Sequence, residues 1–128
     1  MDTLTLLHEV RTLACAAGRV IADIYQSEAA WVQHKADGSP LTAADMAAQQ
    51  MIVDGLARLT PTLPVISEEG TLPDWSQRSG WSQHWLVDPL DGTKEFVART
   101  GEFTVNIALI ENGVPTLGVV VAPMRALV

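Results

Sequence analysis

The sequence predicts an α+β fold, with two helices packed on a mostly antiparallel sheet. Three observations predict it. Apolar residues recur at three- and four-residue steps in two early segments. Short apolar runs of strand length follow them. Between the last two runs stands Asn112-Gly113, a strong hairpin-turn signal.

Residues 4–27 form the first predicted helix. Leu7, Val10, Leu13, Ala14, Ala17, Ile21 and Ile24 line one face of it. A polar loop follows from His34 to Pro40. Thr42 then opens a second helix, because Thr-Ala-Ala-Asp has the form of a capping box. Ala48, Met51, Ile52, Leu56 and Leu59 give this helix its buried face, and Pro61 stops it. LPVIS, Leu63 to Ser67, is a short strand ending in Glu68-Glu69. Gly70 to Gln83 is rich in Gly, Ser, Pro and Asp, and its composition predicts a loop. HWLVD, His84 to Asp88, is the next strand. Residues 93–99 suit one or two helical turns. FTVNIALI, Phe103 to Ile110, pairs across the Asn112-Gly113 turn with Val114 to Ala122.

The length of 128 residues suits one domain, and an apolar share of 48% with 18% charged residues is globular composition that argues against disorder. A net charge of −7 disfavours a nucleic-acid polymer as partner. It does not exclude a small anion, provided bound cations invert the local field. The single cysteine, Cys15, rules out a disulfide framework within the chain and fits the apolar helical pattern as a core thiol. The N-terminus carries acids where a signal peptide would carry Lys or Arg, and no apolar run reaches the length of a membrane span. A soluble, cytoplasmic protein is expected. His8, His34 and His84 are scattered and receive no role. The four tryptophans are read as packing residues. The final segment, Ala126-Leu127-Val128, follows soon after an apolar strand. With no second helical layer, one sheet face and one edge would stay bare, so the chain is expected to be half of a larger fold.

The candidate site is acidic. Glu68, Glu69, Asp88 and Asp91 fall at strand ends or just beyond. Adjacent strands of similar length would bring Glu68 and Asp88 to one end of the sheet. Crowded carboxylates repel, and a divalent cation removes that conflict. Oxygen donors suit Mg²⁺ or Mn²⁺, and no His–Cys pattern argues for zinc. Pro89 stiffens the backbone between the aspartates, and the Leu90 carbonyl is a further candidate donor. Gly92 permits a sharp turn and close backbone approach. A helix starting at Thr93 would present free N–H groups to an anion. Cations beside an anion seat point to phosphate ester hydrolysis, in which they clamp the phosphate and lower the pKa of a water. Glu68 would orient that water. Thr93 would polarise it, with Asp45 as the acid that holds the Thr93 hydroxyl.

KADGSPLTAAD, ISEEG and WLVDPLDGTKEF, in this order, resemble the inositol monophosphatase superfamily of Mg²⁺-dependent, lithium-sensitive phosphatases. Asp88-Pro89-Leu90-Asp91-Gly92-Thr93 matches the family pattern Asp-Pro-x-Asp-Gly-Thr in full. Within that superfamily, Thr93-Lys94-Glu95-Phe96 and GEFTVNIALIENG look most like the 3′(2′),5′-bisphosphate nucleotidases. The resemblance implies a layered αβ sandwich, of which residues 1–128 are the N-terminal, metal- and phosphate-binding part, without the C-terminal half. It implies that Glu68, Asp88 and the Leu90 carbonyl hold one Mg²⁺, and that Asp88 and Asp91 hold another. Two or three ions, Mg²⁺ or Mn²⁺, are expected in all. Gly92 and Thr93 would contact phosphate through backbone N–H groups, with Glu68, Leu90 and Asp91 around it. Asp45 and Thr93 would form the water-activating dyad, with Glu69 and Lys35 secondary.

The substrate implied is a small nucleotide bisphosphate, cleaved at its 3′-phosphate to AMP and phosphate. Alternatives are an inositol monophosphatase or a non-catalytic metal-binding fragment. Homodimer formation and peripheral inner-membrane association are compatible with the resemblance. One departure stands out. Family members are roughly twice as long, and their second half carries a further metal-ligating aspartate in a Trp-Asp-x-Ala-Ala-Gly-type motif. Here only the reversed pair Asp74-Trp75 occurs. Weak or absent activity is therefore expected from these 128 residues alone.

Overall fold

The computed structural model describes residues 2–26, 32–34, 40–67, 74–92 and 101–125. Helix α1 spans Thr3–Gln26 and buries Leu6, Val10, Ala14, Ala17 and Ile21 along one stripe. That is the face set by its apolar spacing. Asp2 starts it: the Thr5 backbone N–H donates to Asp2 Oδ1 at 2.7 Å, a side-chain cap on an otherwise unpaired helix donor. Helix α2, Ala43–Leu59, begins directly after Thr42 and buries Ala44, Ala48, Ile52 and Leu56. Pro61 follows its end, as a residue that cannot continue a helix should. Gly55 lets the two helices approach closely, since a Cβ there would stand 2.5 Å from a methyl carbon of Leu13.

Strands β1, Val32–His34, and β2, Pro40–Thr42, pair antiparallel on either side of the segment expected to be a loop. The main sheet has the order β3-β4-β5-β6. Its members are β3, Val65–Ser67; β4, Gln83–Asp91; β5, Thr104–Glu111; and β6, Val114–Val121. β3 runs parallel to β4, and the other neighbours are antiparallel. Asn112 and Gly113 turn the β5–β6 hairpin with φ of 50° and 80°. Positive φ at both positions is what a two-residue hairpin of the right twist requires.

Strands β1 and β2 are not among the elements expected from the sequence, in which His34 to Pro40 reads as a loop, and two further elements differ from expectation. The polar segment before β4 contains a one-turn helix α3, Trp75–Arg78, although composition predicts a loop. Strand β4 runs three residues past Asp88, through Pro89, because a bulge there relieves the ladder of the missing proline N–H.

Both long helices lie on one face of the sheet. Trp85 and Val87 of β4, Val105, Ile107 and Leu109 of β5, and Leu117, Val119 and Val121 of β6 pack beneath them. The opposite face carries Leu86, 47% exposed, and Val120, 55% exposed. The alternation follows from the two-residue period of a strand.

Candidate metal and phosphate site

The two aspartates of β4 share a face, and a single extra residue makes this so. Positions three apart in a regular strand point to opposite sides. Asp88 and Asp91 are three apart, yet Asp88 stands opposite Asn106 and Asp91 opposite Thr104. Asn106 and Thr104 are only two apart on β5, so they face the same way. The register shift between Asp88 and Asp91 absorbs one residue on β4, in the manner of a β-bulge. Both carboxylates therefore sit on the face away from the helices. Asp91 is exposed and Asp88 half-buried. Leu90, inside the bulge, is buried. Gly92 ends the segment with φ of 95°, a conformation strained for any residue with a Cβ.

Two side-chain hydrogen bonds fix how α2 lies against this strand. The Trp85 indole N–H donates to Thr60 Oγ1 at 2.9 Å, and Thr60 Oγ1 donates in turn to the Leu56 carbonyl at 3.0 Å. The C-terminal end of α2 is thereby pinned beside the start of β4. The Ser67 hydroxyl donates to Gln49 Oε1. Ser67 lies beside Val87 in the register, so the middle of α2 faces the later part of β4. The helix thus runs against the strand. Asp45 lies one turn before Gln49, about 6 Å further along the axis. It therefore sits toward the end of β4 that carries Asp88 and Asp91. It is fully buried in the first turn of α2, where the helix dipole favours a carboxylate.

Asp45, Asp88, Leu90, Asp91 and Gly92 are therefore gathered at one end of the molecule. Glu68, Glu69, Thr93 and Lys35 lie outside the described residues, as do the proposed helical turns of 93–99. Parallel pairing of β3 with β4 does mean that the chain leaves β3, at Ser67, alongside Val87. Among the described residues, no three His, Cys, Asp or Glu side chains form a cluster able to hold a metal ion. What the described part supplies is a pair of carboxylates on a shared face. These are hard oxygen donors, which fit Mg²⁺ or Mn²⁺ and do not suit a soft metal.

Sequence reading passed over Thr104 and Asn106. Their signal was present in T-V-N-I, where polar residues alternate with apolar ones. Gln49 and Ser67 carried no signal, because the bond between them joins positions 18 apart.

A model of the inositol monophosphatase family matches residues 4–128. The chain is 56% identical to the 3′(2′),5′-bisphosphate nucleotidase CysQ of Escherichia coli K12 over 120 residues, covering 93% of this chain and 48% of that protein. It spans about half the length of the curated relatives it matches. The crystal structure of CysQ from Bacteroides thetaiotaomicron superposes with a TM-score of 0.76 at 45% identity, covering 93% of this chain and 42% of that one. The extragenic suppressor protein SuhB from Bartonella henselae gives a TM-score of 0.84 at 26% identity, covering 95% and 46%.

Proposed function

The chain belongs to the inositol monophosphatase family, and we propose that it forms the N-terminal, metal- and phosphate-holding part of a Mg²⁺-dependent, lithium-sensitive phosphomonoesterase. The proposed substrate is adenosine 3′,5′-bisphosphate, and the proposed setting is the cytoplasm. No described helix is long and apolar enough to cross a membrane. The observation that carries the reading is the bulge that turns Asp88 and Asp91 to one face. Identity to a bisphosphate nucleotidase over 93% of the chain supports the choice of substrate.

In this reading Asp88, Asp91, Glu68 and the Leu90 carbonyl hold Mg²⁺. When bound, the cation supplies charge neutralisation and Lewis acidity at the phosphate. The chain's own residues do the rest. Gly92 and Thr93 each offer a backbone N–H to the phosphate oxygens. The Asp45 carboxylate accepts a hydrogen bond from the Thr93 hydroxyl, which leaves Thr93 Oγ1 to accept one from the attacking water. Water oxygen bonds to phosphorus, the bond to the ribose 3′-oxygen breaks, and that oxygen leaves with a proton. The products are AMP and inorganic phosphate.

The test measures Mg²⁺ binding by calorimetry and phosphate release from adenosine 3′,5′-bisphosphate and from inositol 1-phosphate. Release is expected to be slow, to favour the bisphosphate and to be inhibited by Li⁺. Asp91→Asn should abolish it, with a loss larger than the ~10–100-fold typical of groups that only support a metal ligand. Release indifferent to Asp91→Asn would sink the catalytic reading. Mg²⁺ binding without any release would leave only the metal-holding part standing.

A further inference from the structure

We propose that Asn106, itself held by Thr104, is a positioning residue for the Asp88–Asp91 carboxylate pair. The inference rests on the metal-holding reading above and adds residues on a strand to which that reading assigns no role.

Four observations converge on it. Asn106 is the ladder partner of Asp88, and Thr104 is the ladder partner of Asp91. Side chains directly opposite in an antiparallel pair have Cβ atoms about 4.5–5.5 Å apart, close enough to set each other's orientation. Asn106 Nδ2 donates to Thr104 Oγ1 at 2.9 Å, so the amide plane is fixed by a bond within β5. Asn106 and Asp88 border the same shallow cavity of about 300 Å³ on the open face. Polarity on that face of β5 is confined to this end. The next positions facing the same way are Ala108 and Ile110, and the rest of the cavity is walled by apolar residues such as Leu86 and Val120.

The physical role follows from amide chemistry. A carboxamide offers two N–H donors and one carbonyl acceptor. One N–H is committed to Thr104, and the remaining N–H and the carbonyl are carried at the strand position opposite Asp88. In this proposal a neutral amide at that position restricts the carboxylate when a cation binds, without adding charge to an already anionic face. The mount is stiff, because Phe103, Val105 and Ile107, the alternate residues of the same stretch, are all buried under the helices. Partners of this kind orient metal-binding carboxylates, and their loss costs about 10–100-fold in metal affinity.

Titration with Mn²⁺ alone, followed by the loss of the free-ion electron paramagnetic resonance signal, tests the inference without any turnover. Thermal unfolding of each variant runs beside it. Asn106→Ala should weaken Mn²⁺ binding about tenfold. Thr104→Val, nearly isosteric, should weaken it less, and Thr104→Ser, which keeps the hydroxyl, should restore it. The double variant should be no worse than Asn106→Ala, since Thr104 acts through Asn106. Parental affinity in Asn106→Ala, or in Thr104→Val should the alanine variant not fold, overturns the inference and leaves the proposed function intact. Additive losses overturn the link between the two residues. A parent chain that binds no Mn²⁺ overturns the metal-holding reading, and this inference with it.

Discussion

The two faces of the sheet do different work, although they are made by the same strands. On the helix side of β4 and β5, Trp85, Val87, Phe103, Val105 and Ile107 are buried and hold the fold together. On the other side, Asp88, Asp91, Thr104 and Asn106 stand at one end, and Leu86 is half exposed. A strand separates these duties by its two-residue period alone. On β4 the bulge at Pro89-Leu90 breaks that period, and breaking it brings the second aspartate to the first. The lesson is that a buried core can be kept unchanged while chemistry is assembled a few ångströms away, provided the parity of one strand is shifted by one residue.

The largest expected effect lies on the covered face. Phe103 is 2% exposed and packs against Tyr25 with ring centroids 5.3 Å apart. Phe103→Ala should lower the unfolding free energy by about 3–5 kcal/mol, read from urea denaturation. Mn²⁺ affinity, corrected for the folded fraction, should stay as in the parent. If affinity falls with stability, the two faces are not independent and the comparison breaks.

Deleting Pro89 tests the open face. Removal of one residue from the bulge restores regular alternation, so Asp91 would point to the side opposite Asp88. Mn²⁺ affinity should drop by about 100-fold or more, about 2.7 kcal/mol, with a smaller change in the urea midpoint than Phe103→Ala gives. Retained affinity would show that shared facing is not what makes the pair a site.

Helix faces and the hairpin were legible because they rest on local rules. The apolar steps through Val10, Ala14, Ala17 and Ile21 set the buried stripe of α1, with Leu6 rather than Leu7 at its start and Leu7, Leu13 and Ile24 partly buried at its edges. Asn112-Gly113 set the β5–β6 turn. The motif Asp88 to Thr93 announced metal and phosphate chemistry by residue type. Its geometry was hidden. Nothing in Asp-Pro-Leu-Asp states that the strand continues through the proline, because the bulge is defined by the partner strand and not by the motif. The polarity of α2 against β4 was hidden for a similar reason, since it depends on Trp85 reaching Thr60 and Ser67 reaching Gln49. The short helix α3 was missed because one turn is too brief to show a period. Asp2 was counted only as a charge, although its place three residues before Thr5 makes it a helix cap.

That cap supplies the smallest effect and the sharpest separation of the faces. The Thr5 backbone N–H, and then the Thr5 hydroxyl, hold the Asp2 carboxyl below the ordinary aspartate range. A carboxyl whose native pKa is depressed stabilises the fold above its unfolded pKa of about 3.9, and that contribution fades as pH falls through the lower native value. Asp2→Asn keeps a capping oxygen but removes the titration. It should leave the urea midpoint at pH 7 almost unchanged and flatten its decline in acid. Asp2→Ala should lower the midpoint at pH 7 slightly. Neither change should touch Mn²⁺ affinity at pH 7, since Asp2 belongs to the helix layer and the aspartates of β4 face away from it. A variant at Asp2 that altered metal binding would mean that the covered layer tunes the open face, and the division of labour argued from strand parity would fail at its weakest point.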